Sequence, residues 1–212
     1  MRFQADLVQP PRIATGLVNL FTSSEGGESI LGDLFEEFSQ LASKSGVVAA
    51  RRWYWRQTVK TIAHLFFTGF RVAPWSTTAV VVAGFLLFRF VLGLPERAIF
   101  AVLERYSVFE HHFSAYIFFA STGIDIGRII TSMFVGCIVG LAAKGREMVA
   151  TMTLGLVLCA MAGAAVLVWV TRGQDFLLWT LPWQFAGWVA IVIGGAIVRT
   201  CRSAATTLRS DW

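Results

Sequence analysis

The chain has 212 residues, of which 56% are hydrophobic and 15% are charged, and its formal net charge is +5. Soluble domains carry about 25% charged residues, so this composition, with a mean hydropathy of +0.64, is typical of a membrane protein. A nucleic-acid-binding protein would place its basic residues on a soluble fold. Because little of this chain predicts such a fold, we expect no nucleic acid among its partners.

The cysteines predict neither a metal site nor disulfides, and the N-terminal segment does not predict a signal peptide. Cys137, Cys159 and Cys201 have neither CxxC spacing nor neighbouring histidines, so no zinc site or disulfide framework is predicted. We interpret them as small core residues. The segment MRFQADLVQPP lacks the apolar region of a cleaved signal peptide.

Three amphipathic helices are predicted at the start of the chain. Pro10-Pro11 opens a short helix, and the SSEGG cluster at 23–27 is expected to end it. A second helix is predicted over about 28–43, then a turn at 43–46, then a third helix over about 48–70. Residues 1–70 would form a cytoplasmic or interfacial helical module, and residues 71–212 a transmembrane domain.

The third predicted helix interleaves basic residues with tryptophan. Tryptophan rings lie at headgroup depth and cations meet lipid phosphate, so the pattern indicates a membrane-surface anchor. The alternative is an ordinary amphipathic helix whose arginines pair with Asp33, Glu36 and Glu37 across the turn. Both interpretations stay open, and both can hold together. The residues assigned to the anchor are Arg51, Arg52, Trp53, Trp55, Arg56 and Lys60.

Four apolar stretches approach the roughly 20 residues that a helix needs to cross a bilayer. They lie at about 75–93, 123–143, 148–170 and 176–198, and the last two contain no charged residue. The predicted fold class is therefore all-α, an integral membrane protein with four transmembrane helices. The amphipathic segment 95–112 is predicted to lie on the outer membrane surface as an interfacial helix, and 171–175 is predicted as a tight loop.

The start of the second span is ambiguous, because apolar residues run from 113 to 143 with only Asp125 and Arg128 between them. Either the helix projects beyond the bilayer, or 113–121 lies apart and the span begins near Gly123, which we favour. Lysine and arginine concentrate on the side of the spans that holds both termini. The positive-inside rule therefore predicts that both termini are cytoplasmic.

Small residues recur on one face of several spans, and small residues let helix backbones approach closely. We expect these faces to pack either within the protein's own bundle or against a partner subunit. The GxxxG of the second span is Gly136 and Gly140, the fourth span has Gly187, Ala190 and Gly194, and the third has Ala160, Gly163 and Ala164.

The remaining candidates for chemistry are few. Asp125 and Arg128 are three residues apart and would neutralise each other at the end of the second span; as intramembrane ions they are also candidates for a solute pathway. A histidine can ligate a metal or a porphyrin-type pigment, but His64, His111 and His112 are interpreted as solvated. We expect no metal or other cofactor, only lipid contacts. No nucleophile motif, phosphate loop or carboxylate cluster appears, so no enzyme is predicted.

Two motifs carry a resemblance to a known family. LGDLFEEF spans 31–38 and ARRWYWRQ spans 50–57, preceded by Pro10-Pro11-Arg12 and Glu28. Residues 10–57 thereby resemble the permease prefix domain found ahead of some bacterial ABC-type permeases of the FtsX/MacB-like kind. The resemblance implies a bacterial inner-membrane protein with a cytoplasmic helical module. The long extracytoplasmic domain of such permeases is absent here, and the family pattern offers no catalytic residues to carry over.

These observations predict an accessory, non-catalytic subunit that packs against a larger bacterial membrane complex, such as a photosynthetic or respiratory one. The first alternative is an auxiliary or regulatory component of an ABC-type permease. The second alternative is a small-solute transporter that uses Asp125 and Arg128.

Overall fold

The computed structural model describes residues 9–22, 24–171 and 180–210 of the chain. Every regular element in these ranges is helical. The chain divides into two compact units, Met1–Ala73 and Pro74–Trp212.

The described part of the first unit contains α1 (Arg12–Phe21), α2 (Ser24–Ser45) and α3 (Val47–Val72). α1 ends at Phe21, just before the predicted break, but α2 begins at Ser24 rather than at the predicted residue 28. Packing of a long amphipathic helix outweighs the poor helix propensity of two glycines in its first turn. The predicted turn at 43–46 narrows to Gly46, whose φ of +86° is a conformation that glycine adopts without steric cost.

The motif residues supply much of the core of the first unit. Phe38 of α2 and Tyr54 of α3 meet edge to face, with ring centroids 5.7 Å apart. The hydroxyl oxygens of Tyr54 and Thr15 lie 3.1 Å apart, which ties α3 to α1. The buried cluster is Ala14, Val18, Leu34, Phe38, Ala50 and Tyr54.

Thr58 is fully buried on α3, and its hydroxyl has no hydrogen-bond partner among the described residues. An unpaired buried hydroxyl costs about 1–3 kcal/mol, so Thr58→Val should raise the free energy of unfolding by about 1 kcal/mol. Thr15→Val is the matched control: it removes a hydroxyl that is paired and should lower stability. Denaturation in detergent micelles, followed by tryptophan fluorescence, measures both; a destabilised Thr58→Val protein would contradict the prediction.

The second unit contains four helical stretches long and apolar enough to cross a membrane, counted within the described residues. They are Pro74–Arg105, Phe113–Ala142, Glu147–Thr171 and Pro182–Ala205. The all-helical fold with four such helices is therefore as predicted. The elements are α4 (Pro74–Val91), α5 (Leu94–Arg105), α6 (Val108–His111), α7 (Phe113–Phe118), a π-helical turn (Phe119–Gly123), α8 (Ile124–Ala142), α9 (Glu147–Thr171) and α10 (Thr180–Ser210).

Two boundaries in the second unit differ from the prediction. Segment 95–112 is not one helix, because the backbone breaks at Ser107, whose φ is 48°. Residues 113–121 do not lie apart from the second span: the π-helical turn carries α7 directly into α8. The Ser121 hydroxyl donates to the Ile117 carbonyl at 2.7 Å, which satisfies a backbone oxygen beside the turn.

The last helix extends beyond its apolar stretch. Residues up to Ser210 remain helical, so α10 continues well past the predicted end at 198. The predicted loop at 171–175 beyond Thr171 and the predicted span start at 176 lie outside the described residues.

The core of the second unit is small and its exterior is apolar. All four long helices contribute to the core, while large side chains such as Phe90 and Phe134 are 78% and 67% exposed. An apolar exterior of this extent needs an apolar surrounding, either lipid or another protein. The buried cluster is Val81, Val135, Val139, Ala150, Leu154, Leu158 and Ile191.

Candidate functional site

The α8 glycines of the predicted packing set contact α10. A Cβ added at Gly136 would overlap the Ile191 carbonyl and lie 2.8 Å from the Ile191 Cα. A Cβ added at Gly140 would lie 3.3 Å from the Gly195 Cα. Here the two backbones touch without side chains between them, which is the close approach that GxxxG permits.

The α10 members of the set face α8 in return. A Cβ on Gly194 would overlap the Met133 carbonyl and lie 2.8 Å from the Cys137 nitrogen, and one on Gly187 would lie 3.3 Å from the Ser132 hydroxyl. Ala190 is buried between them on the same helix. The structure thus places these small residues inside the unit rather than on its exterior.

Two further close approaches were not anticipated from the sequence. A Cβ on Gly195 would lie 2.6 Å from Thr151 Cγ2 of α9. A Cβ on Gly84 of α4 would lie 2.5 Å from Val139 Cγ2. Gly195 directly follows Gly194, and adjacent residues on a helix point about 100° apart. Two consecutive glycines can therefore face two different neighbouring helices. The glycine pair therefore serves two different neighbouring helices, α8 and α9.

The small-residue face of α9 is different, because it lies on the exterior of the described unit. Ala160, Gly163 and Ala164 are all exposed, and nothing lies within 4 Å of a Cβ added at Gly163. Leu154 and Leu158 on the opposite side of α9 are buried in the core. The far half of α9 therefore offers a short group of exposed small residues, with the exposed Leu167 one turn further along the same side.

A buried carboxylate joins α8, α9 and α10 at one end of the unit. The Glu147 side chain is 3% exposed, and Arg199 Nη1 lies 3.7 Å from its Oε2. Arg202 donates to Glu147 Oε1, which also accepts the Gly145 backbone N–H at 2.9 Å. A second guanidinium nitrogen of Arg202 donates to the Leu141 carbonyl at 2.8 Å, near the end of α8.

The position of Glu147 in the sequence carries a signal for this cluster. Consecutive spans run antiparallel, so the start of α9 meets the end of α10. Glu147, the first residue of α9, therefore faces Arg199 and Arg202, which follow the apolar stretch of α10.

Arg128 lies between two carboxylates at the opposite end of the unit. Its Nη2 donates to Glu96 Oε2 at 2.9 Å, and its Nη1 lies 3.6 Å from Asp125 Oδ1. The predicted pairing of Asp125 with Arg128 is the longer contact, and Glu96 of α5 is a partner that sequence reasoning missed. Since the Arg128 and Glu96 side chains are 44% and 47% exposed, this pair contributes little stability.

A cavity of about 580 Å³ opens between α4, α8, α9 and α10 at the Arg128 end. Pockets that bind small molecules span about 300–1,000 Å³, so its size suits a ligand. Arg89 at its edge is exposed and has no ion pair with any described residue. Its aromatic and apolar lining includes Phe85, Phe88, Leu158, Met161 and Trp188, and its polar lining includes Arg89, Asp125, Arg128, Ser132 and Gln184.

The residues assigned to the membrane-surface anchor lie on more than one face of α3. Trp53 packs against the core of the first unit, whereas Trp55 is exposed. The side chains of Arg51, Arg52, Arg56 and Lys60 are exposed. None of these arginines pairs with Asp33, Glu36 or Glu37 in the described structure, so the alternative of ion pairs across the turn is not supported there.

Histidines and cysteines form no site in the described ranges. His64, His111 and His112 are exposed, and the ring of His111 lies 3.1 Å from the Ser107 carbonyl. No group of three or more His, Cys, Asp or Glu side chains within those ranges is placed to hold a metal ion. Cys159 and Cys201 are exposed, so interpreting them as core residues was wrong.

No family model, curated protein or solved structure matches this chain. Its function must therefore be inferred from its own geometry.

Proposed function

We propose that this chain is a non-catalytic accessory subunit of a larger bacterial membrane complex. In this proposal it is a multi-pass protein of the inner membrane with both termini in the cytoplasm. The four apolar helices support insertion, and the excess of Lys and Arg on the side of the termini supports the orientation.

The observation that carries the proposal is the unused small-residue face of α9. The glycine faces of α8 and α10 are occupied by one another, whereas Ala160, Gly163 and Ala164 are exposed and nothing lies within 4 Å of a Cβ added at Gly163. Small residues let the backbone of a second helix approach closely, and the two helices then gain close dispersion contacts along this face. A partner's spanning helix is therefore the occupant that this face suits.

Replacing Gly163 by leucine should release the partner while leaving the bundle folded. The new side chain enters open space within this chain, but it holds an approaching helix away from the backbone. Overpacking of this kind costs about 1–3 kcal/mol, so the amount of co-purified partner should fall about tenfold. The measurement is purification of tagged protein from native membranes in mild detergent, with partners quantified by mass spectrometry.

Ala165→Leu is the matched control for that experiment. It adds the same bulk at nearly the same depth on α9, at an exposed residue about 200° further around the helix. The control should retain the partner. Wild-type protein that purifies alone as a monomer, or equal loss in both variants, would count against the accessory role.

A second candidate, an auxiliary component of an ABC-type permease, is favoured by the surface of the first unit. Within the two prefix-like motifs, Leu34 and Tyr54 are buried, which accounts for them structurally. Glu37 and Arg52 are exposed and without ion pairs in the described structure, so they remain available to a partner or to lipid headgroups. A transport ATPase or permease as the co-purified partner would support this candidate over other assemblies.

A further inference from the structure

We propose that the cavity between α4, α8, α9 and α10 binds one phospholipid with a zwitterionic headgroup. One acyl chain enters the apolar interior, the phosphate binds Arg89, and the headgroup ammonium binds Asp125. The proposal requires a membrane but no partner subunit, so it is independent of the accessory role.

The cavity changes from polar to apolar along its length. On α4, Arg89 lies at the edge and Phe85 lies one helical turn deeper; on α9, Leu158 lies one turn deeper than Ala162. The Ser132 hydroxyl is also deep, but it donates to the Arg128 carbonyl at 2.8 Å. It therefore presents no unpaired donor, and the interior suits a hydrocarbon chain better than water.

The shallow end carries groups that suit a headgroup. Arg89 lacks a carboxylate partner among the described residues, so its guanidinium is available to a phosphate. Trp183, which is partly exposed, lines the same end. Tryptophan rings are favoured where hydrocarbon meets the polar headgroups.

The charge balance favours a headgroup with both signs. Arg128 is shared by Asp125 and Glu96, so these three groups together leave one net negative charge. Arg89 adds one uncompensated positive charge elsewhere on the edge. A phosphate bound to Arg89 and an ammonium bound to Asp125 would match this distribution, whereas a purely anionic headgroup would leave the carboxylates unmatched.

The test measures lipid binding to purified full-length protein by native mass spectrometry in detergent. The probes are dioleoylphosphatidylethanolamine, dioleoylphosphatidylglycerol, dioleoylglycerol and inorganic phosphate. We expect one phosphatidylethanolamine per chain, bound about tenfold more tightly than dioleoylglycerol, because the latter lacks the charged group that Arg89 binds. Phosphatidylglycerol should bind several-fold more weakly than phosphatidylethanolamine, and inorganic phosphate should not displace the lipid.

Two variants locate the site. Arg89→Gln should weaken phosphatidylethanolamine binding about tenfold, and Ala162→Phe should reduce it by filling the cavity. Arg97→Gln is the charge control, because Arg97 is exposed on α5 and does not line the cavity. Ala164→Phe is the bulk control, because Ala164 is exposed, lies about 200° around α9 from Ala162 and does not line the cavity. Circular dichroism checks that each variant remains helical.

Several results would overturn the proposal. Equal binding of phosphatidylethanolamine and dioleoylglycerol, or equal loss in Arg89→Gln and Arg97→Gln, would indicate non-specific lipid around the bundle. Displacement by inorganic phosphate would indicate a free-phosphate site. Phosphatidylglycerol binding as tight as phosphatidylethanolamine would remove the role of Asp125.

Discussion

Replacing Gly136 by alanine is expected to lower the free energy of unfolding of the protein by about 3 kcal/mol, the upper end of the usual range for overpacking. The added methyl group would overlap the Ile191 carbonyl and lie 2.8 Å from the Ile191 Cα. Both are backbone atoms of α10, so no side-chain rotation relieves the clash. The two helices must move apart, and the neighbouring contact at Gly140 is then lost as well.

Gly163→Ala is the control for this prediction, because it makes the same chemical change on another long apolar helix, at a position where nothing lies within 4 Å of the added Cβ. Alanine has a higher helix propensity than glycine by about 1 kcal/mol, so the control should be neutral or slightly stabilised. Thermal unfolding in detergent micelles, followed by circular dichroism, measures both variants. If the two were equally stable, the α8–α10 contact would not be the one that holds the bundle together.

The sequence predicted these helices well because length and lack of charge determine a membrane-spanning stretch almost alone. Spacing on a helix also indicated that Gly136 and Gly140 share a face, but it missed the close approaches at Gly84 and Gly195. It did not say whether Gly136 or Gly163 faces inward. The answer depends on which helices pack against α8 and α9, and this is a property of the tertiary structure.

The predicted helix boundaries are wrong where the local sequence pattern does not show the tertiary contacts that determine the backbone. The break at Ser107 carries no proline or glycine signal, and the π-helical turn at 119–123 lies within an unbroken apolar stretch. The cavity could not be predicted because its lining comes from four separate helices. Arg89 could be predicted to lie near the end of a span, but its lack of a carboxylate partner is a tertiary property.

Glu147→Gln is the second substitution with a large expected effect. It keeps the shape of the side chain but removes the negative charge that Arg199 and Arg202 share, and it replaces one acceptor oxygen by an NH2 group that faces a guanidinium. Breaking a buried ion pair costs about 3–5 kcal/mol. Because the Arg202 side chain is 38% exposed and water can reach it, the expected loss is at the lower end, about 3 kcal/mol.

The control is Glu104→Gln, at an exposed carboxylate on α5 without an ion pair in the described structure; it should change stability little. Adding Arg202→Gln to Glu147→Gln should cost less than the sum of the single changes, because the two side chains contact each other. Strict additivity in this cycle would show that they do not interact.

The cluster and the cavity lie at opposite ends of the second unit, so Glu147→Gln should also leave phospholipid binding unchanged while the bundle remains folded. Lower stability with unchanged phospholipid binding would show that Glu147 joins α8, α9 and α10 and does not shape the cavity.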